Sequence, residues 1–478
     1  MKEYGLILIG TGSAMNIVGP VMDQDPDLKV AIIDKDDPGG ICLTRGCIPS
    51  KLLLYPAELV RTIQSASQFG IGVDIRKVDF DKVMERMHSL VDRDIEEIRH
   101  GLSNAPNVDY YPVPAEFTGP YTLRAGNETL HSRMILLCTG SKPLIPPIKG
   151  LDRAGYLTSD TMLRLRKLPP SLAIIGGGYI AAEYGHFFSA MGSKVTIIGR
   201  NPRLLPDEEP EISELAAAEL SRHMTVVTAT AVLEVEKTFT GKKTVTGANI
   251  STGEKLSVTV DEVLVAAGRA SNSDILHPEK AGIRTDKDGW ITTNEFFETS
   301  QPGIWAFGDA VGRYLFKHVA NFESILVYQN AFLGKRVPMD YHAIPHAVFT
   351  YPEIAGVGMG EKDAVERFGK DNVLLGMTRF EETAKGSAMG LRGYFVKLIA
   401  HMDKERILGA HIIGPQASVL IQELVDLMYT PDGGTGPVKV GMHIHPSLSE
   451  VVERAVGSLM PVDMYHHVRQ HELEHMHS

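Results

Sequence analysis

Gly39-Gly40-Ile41-Cys42-Leu43-Thr44-Arg45-Gly46-Cys47-Ile48-Pro49-Ser50-Lys51 sets two of the chain's three cysteines five positions apart, in a glycine-rich approach to a predicted helix, with a lysine one turn further on. A structural disulfide stabilises mainly by closing a long loop, and a bridge over so few residues contributes little of that kind. Zinc would need further Cys or His ligands nearby, and the stretch offers none. Two unrelated buried cysteines would leave the glycines, Pro49 and Lys51 unexplained. The spacing therefore reads as redox chemistry.

Around this stretch lies a chain of 478 residues, too long for one core and suited to about three domains at ~150 residues each. Apolar residues at 43% and charged residues at 22% are ordinary globular values. A formal charge of −11 argues against a nucleic-acid or anionic-membrane surface, because binding phosphates needs a positive field. Small molecules are the expected partners. The start, Met1 to Gly10, lacks a basic region followed by a long apolar core, and no apolar run reaches the ~20 residues that span a bilayer. Three cysteines in such a length suit a reducing compartment, and the cytoplasm is the expected location.

Upstream, the apolar run Tyr4 to Ile9 ends in Gly10-Thr11-Gly12-Ser13-Ala14-Met15 and then helix-compatible residues. Strand, glycine turn and helix is the setting for a dinucleotide pyrophosphate on a helix N-terminus. A second strand, Val30 to Ile33, ends in Asp34, placed where a ribose-binding acid belongs. Met15 stands where a third glycine is usual, so helix and strand must pack differently there. The pattern repeats downstream. Leu172 to Ile175 runs into Gly176-Gly177-Gly178-Tyr179-Ile180-Ala181-Ala182-Glu183, and the matching second strand, Lys194 to Ile198, ends in Gly199-Arg200-Asn201-Pro202-Arg203. Two nucleotide units imply two cofactors. The second has no acid to bond a ribose 2′-OH, and arginine suits a 2′-phosphate.

With these units in register, residues 39–51 resemble the redox-active segment of the FAD-dependent pyridine nucleotide-disulfide oxidoreductases, and the resemblance extends over nearly the whole chain. Leu137-Cys138-Thr139-Gly140-Ser141 resembles the segment where that family's chain leaves the FAD domain, and Cys138 reads as a small buried side chain. Ala267-Gly268-Arg269 is the expected return. Trp305-Ala306-Phe307-Gly308-Asp309 is similar to the second FAD segment, and the helix near His318 to the one beneath the flavin. His443-Ile444-His445-Pro446-Ser447-Leu448-Ser449-Glu450 resembles the segment carrying the catalytic base. The implied fold is α/β, with two Rossmann-like dinucleotide-binding domains for FAD and NAD(P) and a C-terminal α+β dimerisation domain. The expected divisions are 1–145 and 268–342 for FAD, 146–267 for NAD(P), 343–462 for dimerisation and 463–478 for a His-rich tail.

The resemblance also implies the roles. Gly10, Gly12, Ser13, Asp34, Lys51, Thr139, Gly140, Gly308 and Asp309 would hold FAD. Gly176, Gly178, Arg200, Arg203 and Gly268 would hold NADPH, with NADH as an alternative. Cys42 and Cys47 form the redox disulfide, Cys47 facing the flavin and Cys42 attacking a small-molecule disulfide, with His445 as base and Glu450 orienting it. Lys51 and Glu183 are an expected ion pair near the flavin, and Tyr179 a gate over it. A homodimer is implied, with the base supplied by the partner chain. Among the family's branches, the wording at 10–15, 317–321 and 416–418 is closer to mycothione reductases than to glutathione reductases. Dihydrolipoyl dehydrogenases share the core motifs and are the alternative. In the tail, Met464 to Ser478 holds five histidines, and His471-Glu472-Leu473-Glu474-His475 fits the zinc-protease pattern. That reading lacks a third ligand and a core to hold the helix, and no metal is expected.

Overall fold

The computed structural model describes residues 1–476, so His477 and Ser478 of the histidine-rich segment lie outside the described residues. The inner strands of its first sheet are apolar throughout, as a parallel strand covered on both faces must be. Strand β1 (Leu6–Ile9) leads through the glycine turn to helix α1 (Met15–Gln24), and β2 (Val30–Ile33) follows. The chain continues through α2 (Gly40–Arg45), α3 (Cys47–Ser65), α4 (Phe80–Asn104), β3 (Val108–Tyr111) and β4 (Ile135–Leu137). Every residue of β1, β2 and β4 is buried. Met15 opens α1 and packs, partly buried, against the cluster that includes Leu6, Leu8 and Ile17.

The second unit repeats the first. Strands β5 (Leu157–Thr158) and β6 (Ser171–Ile175) precede α5 (Tyr179–Met191), β7 (Lys194–Ile198), α6 (Pro210–Ser221), β8 (Thr225–Val227) and β9 (Glu262–Val265). The sheet order is β5-β9-β6-β7-β8, all parallel. In the first unit β10 (Ile304–Ala306) takes the outer place, giving β10-β4-β1-β2-β3. In both units a small antiparallel sheet, at residues 115–131 and 230–260, forms the crossover from third strand to fourth. The two glycine turns are matched too. Gly10 and Gly176 have φ of 109° and 138°, and a Cβ on either would lie 2.1 or 2.0 Å from the carbonyl oxygen of Cys138 or Ala266. Only glycine fits such a turn.

After β10 the chain enters α7 (Lys317–Ala331) and then a six-stranded antiparallel sheet. Its order is β11 (Pro345–Val348), β12 (Glu353–Gly358), β15 (Arg406–Gly414), β14 (Phe395–His401), β13 (Val373–Arg379) and β16 (Met460–Pro461). Helices α8 (Glu361–Phe368), α9 (Ala417–Met428), α10 (Glu450–Gly457) and α11 (Val462–Met476) accompany it. The histidine-rich segment begins as part of this body, since Val462 and Tyr465 are buried against Leu375, Ile399 and Leu408. Among the described residues no helix is long and apolar enough to cross a membrane.

Between the second unit and the antiparallel sheet sits Lys397 of β14, 1% exposed, its Nζ donating to Glu209 at 2.6 Å, Glu211 at 2.9 Å and Glu361 at 2.7 Å. Burial alone would lower its pKa, but the three carboxylates hold it above the usual lysine range. Removing one partner of a buried ionic cluster costs far more than the intact cluster contributes, because the remaining charges stay buried. Lys397→Met should therefore destabilise the protein by about 3–5 kcal/mol. Denaturant unfolding that shows a loss below about 1 kcal/mol would show that water reaches and screens the three carboxylates.

Candidate active site

Helices α2 and α3 are separated only by Gly46, and this break sets Cys42 on the first helix against Cys47 at the start of the second. Both are thiols. The Cys42 thiol hydrogen-bonds the Cys47 sulfur, and that bond, with the Lys51 ammonium assisting against burial, brings the Cys47 pKa down to about 7. The same bond and burial push Cys42 up, so one sulfur is poised as a thiolate and the other keeps its proton. A thiolate is the nucleophile and the electron donor of thiol chemistry. The shift on Cys47 therefore matters at neutral pH.

Lys51 lies one turn into α3 beyond Cys47, and its Nζ donates to both oxygens of Glu183 at 2.9 Å. The Glu183 side chain is only 6% exposed, and one of its oxygens also accepts the Phe349 backbone N–H at 3.0 Å. The Phe349 ring lies 4.6 Å from the ammonium. The ion pair read from sequence is thus present. Phe349, which sequence reasoning missed, completes it from a distant segment.

These groups face a cleft of about 770 Å³, which also gathers Gly10, Gly12, Ser13 and Asp34 from the first turn and strand end. Thr139, Gly140, Gly308 and Asp309 line it as well. Asp34 Oδ2 accepts from the Thr11 N–H at 2.9 Å and its hydroxyl at 2.6 Å, which fixes the acid at the end of β2. Ser141 donates to Asp309 at 2.6 Å, and Arg269 Nε donates to Ser141 Oγ at 2.6 Å. Burial pushes the Asp309 carboxyl up, against the pull of Ser141 and Arg269. Lys317, at the start of α7, donates to Ser13 Oγ at 2.9 Å. The Thr139 hydroxyl is buried in the cleft wall without a partner among the described residues. An elongated cleft with a glycine turn at a helix start, a strand-end acid and an orphaned hydroxyl fits FAD. Cys138 also lines it, half-buried, with burial holding its thiol well above the ordinary range.

Tyr179 is the first residue of α5, directly after Gly178, and it lines the cleft with 39% of the residue exposed. The helix start of the second unit is therefore a wall of the first unit's cleft. Gly176, Gly178, Gly268, Arg200 and Arg203 stand outside that wall, the glycines at the second turn and its return, the arginines exposed beyond β7.

The structure does not bring His445 and Glu450 into the cleft of their own chain. His445 Nδ1 bonds Glu450 Oε1 at 2.8 Å, while the other oxygen accepts the Ser447 N–H at 3.0 Å. The His445 bond and then the Ser447 N–H hold the Glu450 carboxyl below its ordinary value. The imidazole is oriented yet 68% exposed, and the residues before it, Val440, Met442 and Ile444, are exposed at 85%, 101% and 77%.

Comparison with known proteins gives a consistent picture. The family described as pyridine nucleotide-disulphide oxidoreductase matches residues 4–332, and its dimerisation domain matches residues 344–456. The chain is 35% identical to mycothione reductase of Mycobacterium tuberculosis, covering 96% of this chain and 100% of that one. It is 32% identical to dihydrolipoyl dehydrogenase of Bacillus subtilis, covering 95% and 97%. Among solved structures, the copper(II) complex of the HOCl-induced flavoprotein disulfide reductase RclA from Escherichia coli superposes with a TM-score of 0.84 at 27% identity, covering 96% of this chain and 99% of that one.

Because the Cys47 pKa is depressed from 9.0 to about 7, its thiolate should form as pH rises through about 7 and be lost below it. In the reduced protein, alkylation of the Cys47 peptide by iodoacetamide, followed by mass spectrometry, should level off above that pH. Lys51→Met should move the midpoint upward, and an unmoved midpoint would remove Lys51 from the account.

Proposed function

The chain belongs to the pyridine nucleotide-disulphide oxidoreductase family, whose members use FAD and NAD(P)H, and we propose that it reduces a low-molecular-weight disulfide at the expense of NADPH. The observation that carries this reading is the Cys42–Cys47 pair, set in the FAD-shaped cleft with one sulfur held as a thiolate beside the Lys51–Glu183 ion pair. FAD, when bound, relays the electron pair of NADPH to the cysteine disulfide. The chain's residues do the rest.

Cys42, as thiolate, attacks one sulfur of the substrate disulfide and releases the first thiol, which needs a proton. Cys47 then attacks the Cys42 sulfur, releases the second thiol and restores the internal disulfide. One NADPH and one proton are consumed for two thiols formed. Cys42 holds its proton more tightly than an ordinary thiol, so a base must take it. His445 of the partner subunit is that base in our reading. Within its own chain the imidazole is oriented by Glu450 and exposed beside three uncovered apolar side chains, as expected for a surface that a second copy covers. The substrate branch is mycothione reductase-like, supported by the 35% identity over 96% of this chain. Steady-state assays of NADPH and NADH against a panel of small disulfides and lipoamide test it. Faster turnover of dihydrolipoamide with NAD⁺ than of any disulfide with NADPH would overturn it in favour of a dihydrolipoyl dehydrogenase.

The NADPH preference rests on Gly199, Arg200 and Arg203 at the end of β7, where the ribose of the bound nucleotide is met. Each arginine could make a charge-assisted bond to the 2′-phosphate worth about 1.5–3 kcal/mol, roughly ten- to a hundredfold in specificity. Arg200→Ala with Arg203→Ala should raise the KM for NADPH by at least tenfold and leave that for NADH within about twofold. An unmodified enzyme that prefers NADH would overturn the assignment.

A shared active site can be tested by mixing. Cys42→Ser and His445→Ala homodimers should each be inactive, whereas exchanged heterodimers recover up to about half the wild-type turnover per site pair, because one of their two sites is intact. Zero recovery after subunit exchange has been verified would place the base within its own chain.

A further inference from the structure

The loop from Gly199 to Glu209, between β7 and α6, bears Arg200 and Arg203 at its exposed end and two buried carboxylates at the other. Leu205 in its middle is 3% exposed, donates its N–H to the Gly177 carbonyl at 2.7 Å and accepts the Ser213 hydroxyl at 2.8 Å. The loop is thus tied to the second glycine turn. Its far end is tied to another part of the molecule. Glu208 Oε1 bonds His346 Nε2 of β11 at 2.7 Å, and Glu209 accepts the Glu361 N–H of α8 at 3.0 Å and Lys397 Nζ of β14 at 2.6 Å.

The two attachments differ in kind. Glu209 belongs to the three-carboxylate cluster on Lys397, which holds the body together. Among the described residues the Glu208 carboxylate has one partner, His346, and its other oxygen is buried and unpaired. Its side chain is only 5% exposed, so this single contact decides whether a buried charge is compensated. His346 in turn lines the cleft and stacks on Phe316, with ring centroids 6.4 Å apart and planes 12° apart. Phe316 immediately precedes Lys317, which reaches Ser13 of the first glycine turn. One histidine therefore touches both the loop that ends in the arginines and the wall of the thiol cleft.

We propose that the His346–Glu208 contact is a positioning device for nucleotide specificity, holding the 199–209 loop so that Arg200 and Arg203 meet the 2′-phosphate of NADPH. The proposal rests on the reading of those two arginines given above. A loop that loses the Glu208 contact keeps its Leu205 tie to the glycine turn and its Glu209 anchor on Lys397, so the pyrophosphate and nicotinamide ends of the nucleotide keep their seats. What is lost is alignment at the adenosine end, the only part in which NADPH and NADH differ.

The test uses Glu208→Gln and Glu208→Leu in the FAD-loaded enzyme, beside Arg200→Ala/Arg203→Ala. Glu208→Leu should raise the KM for NADPH at least fivefold with kcat and the KM for NADH within twofold of wild type, and Glu208→Gln should give a smaller shift in the same direction. Hydrogen–deuterium exchange without nucleotide should speed up at the amides of Arg200, Asn201 and Arg203 while β6 and β7 stay protected. If Glu208→Leu does not fold, the Gln variant carries the test by the same two measurements. Equal rises in KM for both nucleotides, or unchanged exchange in the loop, would overturn the proposal. An arginine variant that loses NADPH preference while the Glu208 variants keep it would overturn the positioning role alone. An arginine variant that keeps the preference would overturn the 2′-phosphate reading and the positioning role with it.

Discussion

Glu183 is a carboxylate taken almost wholly out of water, and three segments far apart in the chain must meet for that to be tolerable. Its oxygens accept two bonds from Lys51 of α3 and one from the backbone of Phe349, next to β11. A buried ionised carboxylate without such partners would cost several kcal/mol, so α5 can dock in this position only when α3 and the segment after β11 are also in place. The ion pair is therefore a condition on assembly. It also fixes where the ammonium stands, one turn from Cys47, and so fixes the field that helps to hold that sulfur as a thiolate. The docking of the two nucleotide units depends on this contact, and the same contact adds the Lys51 field to the Cys42 hydrogen bond that chiefly lowers the Cys47 pKa.

The duplicated unit shows how a small chemical difference is carried by a constant backbone. Both units use the same strand order, the same antiparallel crossover and a glycine whose missing Cβ admits a carbonyl from the neighbouring turn. They diverge at the end of the second strand. In the first, Asp34 is bonded twice by Thr11 and presented to the cleft. In the second, Gly199 presents no side chain and two exposed arginines follow. A carboxylate at that end favours a ribose hydroxyl and repels a phosphate, and guanidinium groups reverse the preference.

Much of this was legible in the sequence because the signals are local. The strands Val30–Ile33 and Lys194–Ile198 stand where apolar runs between glycine turns placed them. The cysteine spacing and the His445–Glu450 contact lie within motifs that fix residue types at short separations, whereas the Lys51–Glu183 pair, 132 positions apart, was implied by the family resemblance. Met15 was recognised as an exception, and its solution is a partly buried side chain against Leu6 and Leu8 where the second unit buries Ala181 completely. The unread features depend on long-range meetings. Arg269 reaches Ser141 across 128 positions and Ser141 reaches Asp309 across 168, and no periodicity records such encounters. The same holds for His346 and Glu208, separated by 138 positions, each of which reads in isolation as a solvated polar residue.

His445 shows that a motif does not by itself make a complete site. The chain spends a nearly buried carboxylate, both of whose oxygens are engaged, on orienting one imidazole, and then leaves that imidazole largely in water and outside the cleft that holds the cysteines. An oriented but unopposed base accomplishes nothing, because general-base catalysis requires hydrogen-bond reach of the proton to be removed. The apolar side chains of Val440, Met442 and Ile444 beside it are equally without purpose in a single chain, since exposed apolar surface of this kind is costly unless covered. One act of association between two copies would resolve both, covering the apolar stretch and carrying each imidazole to the other chain's cysteines. On that view the raised pKa of Cys42 is no defect. In the proposed mechanism it is the reason a base from a second copy is needed before Cys42 can attack.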